Sequence, residues 1–109
     1  MVTNRRRTSR VRLHRDIIVD PLYTAIDISE GGMQIESLRP VRVNRVLSLE
    51  IDLDGELWGT QIEVLRCEKP QSIFASGLRI GGRFISPKIA LTLRIRRFVE
   101  KHQNTSGAV

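Results

Sequence analysis

Leu47-Ser48-Leu49-Glu50-Ile51-Asp52-Leu53-Asp54-Gly55 is the stretch that decides the fold. Apolar residues take every second position from Leu47 to Leu53, the period of a strand with one face buried and the other in water. Asp54-Gly55 follows at once, and both residue types tolerate the left-handed backbone of a two-residue hairpin turn. The partner strand then runs through Trp58, Ile62, Val64 and Leu65 and stops at Lys69-Pro70-Gln71. Glu50, Asp52, Asp54 and Glu56 alternate with the apolar positions, so a solvated strand face explains them without paired-carboxylate catalysis.

Working outward, Asp16 to Val19 is a β-branched run ended by Asp20-Pro21, and Leu22 to Ile28 is extended as far as Ser29-Glu30-Gly31-Gly32. Met33-Gln34-Ile35-Glu36 alternates again, and Ile73 to Ile80 supplies a further strand. Gly81-Gly82 lacks the strand, helix and spacing of a dinucleotide fingerprint, so it reads as a bulge or turn. About six strands at short spacing give a mainly β fold, a small antiparallel barrel or sandwich. The period changes at Ser86-Pro87, a capping residue followed by proline at the first helical position. Ile89, Leu91, Leu93, Ile95, Phe98 and Val99 then form one apolar face, with Lys88, Arg94, Arg97 and Lys101 left polar. These residues predict a helix over 86–103 that closes one open side or end of the barrel, with 104–109 as a tail.

At 109 residues, 40% hydrophobic and 28% charged, the composition is that of one soluble globular domain. No apolar run approaches the roughly 20 residues of a membrane span, and no secretory core follows the basic start, so the cytoplasm is the expected compartment. Cys67 is the only cysteine, which excludes an intrachain disulfide or a cysteine metal cluster; beside Val64 and Leu65 it reads as a small buried hydrophobe. His14 and His102 read as surface residues. Without clustered His, Cys and carboxylates the chain is not expected to be an enzyme or to hold a metal or cofactor.

Charge is distributed unevenly. Residues 1–15 carry six arginines and no acid, whereas 16–109 balance 12 basic against 12 acidic residues. The whole net charge of +6 therefore sits on an N-terminal arm ahead of a neutral body over 16–85 and its helix. Fifteen of the 18 basic residues are arginine, whose planar fork pairs bidentately with phosphate and stacks on flat rings.

Two segments carry chemistry. In Arg5-Arg6-Arg7-Thr8-Ser9-Arg10, the offset of four between Arg6 and Arg10 puts both side chains on one side of a strand or a helical turn. Asp27-Ile28-Ser29-Glu30-Gly31-Gly32 ends a strand with a carboxylate and a hydroxyl facing one way. Its glycines suit positive φ and the close approach of a bulky ligand. In this order the segments resemble the signature of the PilZ domain family, Arg-x-x-x-Arg followed by Asp/Asn-x-Ser-x-x-Gly. The matching residues are Arg6, Arg10, Asp27, Ser29 and Gly32. Gly77-Leu78-Arg79 ahead of Phe84, and the terminal helix, extend the likeness from about Arg5 to Lys101.

The resemblance implies a six- to seven-stranded PilZ-like β-barrel with a C-terminal helix and a flexible N-terminal arm. It also implies a ligand, cyclic di-GMP, a bacterial second messenger with two guanines and two phosphates. Arg6 and Arg10 would grip phosphates and guanine edges, while Asp27, Ser29, Gly31 and Gly32 hold a guanine; Arg5, next to the motif, would accompany two stacked ligands. Arginine can address both phosphate and the O6/N7 edge of guanine. Fixing six loose residues costs roughly 6–12 kcal/mol against about 1.5–3 per charge-assisted hydrogen bond, so several arginines must act together. The expected function is a switch in which ligand orders the arm and presents a new surface to a protein partner. The alternatives are a nucleic-acid-binding module using the arm, for which the 5% aromatic content leaves little stacking platform, and a PilZ-like adaptor without nucleotide binding.

Overall fold

A computed structural model describes residues 9–69 and 77–107. Six strands precede one helix in the described chain: β1 (Arg10–Arg12), β2 (Tyr23–Ser29), β3 (Gly32–Ser37), β4 (Val46–Leu53), β5 (Glu56–Glu68), β6 (Leu78–Phe84) and α1 (Ile89–Gly107). They form one antiparallel sheet in the order β1-β2-β3-β6-β5-β4. In the β4–β5 hairpin Leu47, Leu49, Ile51 and Leu53 are all buried, as their alternation predicts. Leu53 pairs with Glu56, and φ of 56° at Asp54 and 93° at Gly55 make the turn type I′.

The sheet curls into a half-barrel because the chain beyond β1 crosses to the opposite edge. Ile18 bridges Ile51, the Val19 N–H donates to the Glu50 carbonyl at 2.9 Å, and the Asp52 N–H donates to the Ile17 carbonyl at 2.8 Å. Asp16 Oδ1 accepts the N–H groups of Ile18 and Ala25 at 3.0 and 2.9 Å, fastening this crossing to β2. The expected strand over 16–19 is thus a single bridge. The arm boundary drawn at residue 15 also moves: Arg10–Arg12 is a strand of the sheet, paired with β2.

Gly81 and Gly82 lie inside β6 rather than at a turn. The irregularity is across from them, where register slips between Val64 and Arg66 and leaves Leu65 half exposed. Glycine is needed here for space: a Cβ on Gly82 would stand 2.8 Å from Ile62 Cδ1, and one on Gly81 would stand 2.9 Å from the Arg66 guanidinium carbon. Of the expected strand over 73–80, residues 73–76 lie outside the described residues.

Leu91, Ile95, Phe98 and Val99 bury one face of α1 against β1, β2 and β4. At about 1.5–3 kcal/mol per buried side chain, these four contribute roughly 6–12 kcal/mol of gross stabilisation to docking. Ile89 and Leu93, expected on the same face, are 79% and 47% exposed. At 100° per residue they lie roughly 160° around the helix from Leu91, on its outer side. The helix also begins later than the Ser86-Pro87 signal predicts and runs on to Gly107, through residues 104–107 of the expected tail. Thr92 N–H donates to the Lys88 carbonyl at 3.0 Å, so Lys88 occupies the cap, while Ser86 has φ of 39° in the connecting bend. Cys67 is partly buried against the core.

Candidate functional site

β2 is irregular where it matters. Its register with β3 slips between Ala25 and Asp27, so Ile26 forms a bulge. With strict alternation Asp27 and Ser29 would follow Tyr23 and Ala25 into the core. The extra residue reverses the phase, so Ile28 is fully buried and Asp27 and Ser29 turn to the other side. β1 meets them there: Val11 lies opposite Ile28 on the core face, Arg10 opposite Ser29, and Arg12 opposite Asp27.

The Arg10 guanidinium bridges both polar residues. Nη1 donates to Asp27 Oδ1, and Nη2 donates to Ser29 Oγ at 3.3 Å. Asp27 Oδ1 also accepts the Gln34 N–H of β3 at 3.3 Å, and the Ser29 hydroxyl points to the Gly32 carbonyl at 3.4 Å. The Arg10 side chain remains 44% exposed whereas that of Asp27 is 14% exposed, so the arginine covers the carboxylate and itself meets solvent. Two segments seventeen positions apart therefore make one corner, with a guanidinium, a carboxylate and a hydroxyl in contact. Arg5 and Arg6 lie outside the described residues.

The two glycines differ from the expectation that both serve positive φ and ligand approach. Neither is among the positive-φ residues, of which Gly55 is the one glycine in the described chain. Gly32 is buried in β3 opposite Arg83, and a Cβ there would sit 2.1 Å from the Gly82 carbonyl oxygen. Close approach of β6 is what requires glycine. Gly31 is exposed, with no atom within 4 Å of where a Cβ would be.

Sequence reasoning missed three participants. Arg12 extends the even offset of Arg6 and Arg10 and lands across from Asp27. Glu30, between Ser29 and Gly31, receives Arg96 of α1 in a fork, Nε to Oε2 at 2.9 Å and Nη2 to Oε1 at 3.1 Å. The hydrogen bond from Arg96 holds the Glu30 carboxyl below its ordinary pKa, although burial pushes the other way. The bulge at Ile26 is signalled by adjacent apolar Ala25-Ile26 inside an otherwise alternating strand.

Further along α1, His102 Nε2 lies 3.1 Å from Asp54 Oδ1 and its ring sits 4.3 Å from that of Phe98 at a tilt of 42°, so it packs at the hairpin turn. Burial pushes the Asp54 carboxyl up, but hydrogen bonds from His102 and Lys101 outweigh it and leave the pKa lowered. No helix in the described chain is long and apolar enough to cross a membrane.

The sequence matches the model of the PilZ domain family over residues 4–101. The chain belongs to that family. Among solved structures it is similar to the PilZ domain with c-di-GMP of YcgR from Escherichia coli, at 15% identity over 94% of each chain and a TM-score of 0.72. It is also similar to the Bacillus subtilis inhibitor of motility, MotI/DgrA, at 16% identity over 94% of this chain and 53% of that one, TM-score 0.76. At such identities the likeness is one of fold. No curated protein sequence matches.

Proposed function

We propose that this domain is a cyclic di-GMP receptor and adaptor, binding the nucleotide with Arg5 and Arg6 of the arm, Arg10 of β1, and Asp27, Ser29 and Gly31 of the body, while Gly32 shapes the corner by letting β6 approach β3. The observation that carries this reading is the contact of Arg10 with both Asp27 and Ser29. Both hydrogen bonds to Asp27 end on Oδ1, which leaves Oδ2 for the N1–H and exocyclic amine of a guanine. Arg10 can rotate from the carboxylate to a phosphate or to a guanine edge at little cost. A half-exposed ion pair is worth about 0–1 kcal/mol, against about 1.5–3 for each charge-assisted hydrogen bond gained. Gly31 leaves open space beside the corner, where a purine ring can lie flat.

Arg10 already lies in β1, so no ordering cost attaches to its own backbone when ligand binds. The ordered arm and the covered corner then form a surface for a downstream protein. Isothermal titration of the full chain with cyclic di-GMP, GTP and cyclic di-AMP tests the reading. Saturable binding of the first alone is the expected result, and equal or absent heats with all three overturn it. Binding to random-sequence RNA or DNA, steeply weakened by salt, assigns the arm to nucleic acid instead.

A further inference from the structure

Far from the corner, the loop joining β3 to β4 gathers Arg39, Arg42 and Arg45 around a cavity of about 400 Å³ whose floor is Tyr23, Val41 and Leu47. Among the described residues no carboxylate lines it. Arg10, Arg66, Arg83, Arg94 and Arg96 each meet an acidic side chain; these three, like Arg12, Arg15, Arg79 and Arg97, make no side-chain ion pair in the described chain, and they cluster on one cavity. The loop backbone is held at both ends. Ser37 Oγ donates to the Arg39 carbonyl at 2.6 Å and accepts its N–H at 3.1 Å. Asn44, at φ 75°, donates its N–H to the Val64 carbonyl at 2.7 Å, and Val64 N–H returns to the Arg45 carbonyl at 2.9 Å. The same loop exposes Leu38 (61%) and Val43 (49%), and Val46 (45%) follows at the start of β4.

We infer that this loop docks an acidic, partly apolar segment of a partner protein. Carboxylates sit over the cavity between Arg39, Arg42 and Arg45, and aliphatic side chains lie against Leu38, Val43 and Val46. Three unpaired guanidiniums favour an anion, since arginine forks match carboxylates two bonds at a time. The three exposed aliphatics decide between anions: a free phosphate makes no use of them, whereas a peptide buries them. Arginine is also among the residue types enriched at protein–protein hot spots. This surface is independent of the nucleotide reading, because Tyr23 and Ser29 stand at opposite ends of β2, roughly 20 Å apart at about 3.3 Å per residue.

Random dodecamer peptides displayed against the full chain, and in parallel against the Arg39→Glu/Arg42→Glu/Arg45→Glu variant, test it. The enriched peptides are expected to carry Asp or Glu next to Leu, Ile or Val. One of them, titrated into labelled protein, should shift amides of residues 38–46 and bind at least about tenfold more weakly to the charge-reversed variant. Replacing its acids by Asn and Gln should weaken it similarly. Peptides without acidic enrichment, or equally tight on the variant, overturn the inference, as do shifts confined to Asp27 and its neighbours. Competition by inorganic pyrophosphate, together with no effect of Leu38→Ser/Val43→Ser, reassigns the cavity to a small anion. The three arginines are exposed, so unchanged thermal melting of the variant is the fold control. Failure of cyclic di-GMP to bind the wild-type chain leaves the peptide result standing.

Discussion

Arg10 and Asp27 touch across the β1–β2 ladder, one step diagonal to the register that sets Arg10 opposite Ser29. The pair is partly open to water and joins two strands that already share backbone hydrogen bonds, so its own share of stability is small. Asp27→Ala is therefore expected to change unfolding free energy by no more than about 1–2 kcal/mol, which includes the lost acceptor for Gln34 N–H. Cyclic di-GMP affinity should fall at least about tenfold, or roughly 1.4 kcal/mol. The swap Arg10→Asp/Asp27→Arg restores the ion pair while reversing both groups presented to ligand. Its melting should approach wild type while calorimetry shows no binding; recovered binding would mean that the pair serves only to hold β1.

Gly31 and Gly32 should behave oppositely on adding one methyl group. Gly32→Ala drives a Cβ into the Gly82 carbonyl and against the Arg83 backbone, neither of which can rotate away. Overpacking of this kind costs about 1–3 kcal/mol or more, so a lowered melting temperature is expected with or without nucleotide. Gly31→Ala meets nothing and should stay within about 0.5 kcal/mol of wild type. If a base lies over Gly31, the same methyl weakens cyclic di-GMP binding. Equal melting temperatures for the two variants would show that β6 can yield.

The parts of this fold that follow from local period were legible in the residues. Leu47 to Gly55 specifies its hairpin because alternation and turn chemistry agree, and Met33 to Glu36 specifies β3 for the same reason. What could not be read from period alone came from pairing between distant segments. The bulge at Ile26 is set by the register that β3 imposes, and it decides that Asp27 and Ser29 share a side with Arg10. Gly81-Gly82 reads as a bulge or turn; only with β5 and the Ile62 side chain beside it is it seen as strand opposite a register slip. Ser86 and Pro87 make a plausible helix start, yet the connection from β6 holds Ser86 at positive φ and moves the cap to Lys88. That Arg10 belongs with Asp27 and Ser29 was legible through the resemblance to the PilZ signature; the partnership of Glu30 with a helix residue sixty-six positions away was not.

That partnership gives a pH dependence with a definite sign. Arg96 lowers the Glu30 pKa in the folded state, so the carboxylate contributes stability that is present above the unfolded-state value near 4.5 and lost as pH falls through the folded value. Arg96 is half exposed, so solvent screens the pair and the contribution is small. Glu30→Gln should lower the melting temperature slightly at pH 7, and the gap from wild type should close in acid below about pH 4.5. A gap that persists at pH 3 would assign the loss to packing rather than charge.

Arg5 and Arg6 belong to the proposed site but precede the strand that starts the sheet. Deleting residues 1–8 removes Arg5, Arg6 and Arg7 and keeps Arg10, Asp27 and Ser29. The shortened chain should retain the melting temperature of the full one, because the core begins at Val11. Cyclic di-GMP binding should weaken by more than about a hundredfold, since at least two charge-assisted contacts of about 1.5–3 kcal/mol are lost. The salt dependence of what remains should flatten as well, with fewer guanidiniums near the phosphates. Arg6→Ala alone should account for about tenfold, and Arg5→Ala should reduce the measured stoichiometry if two stacked ligands are held. Undiminished affinity after the deletion would place the whole of recognition on the body, and the arm would then be free for another anion.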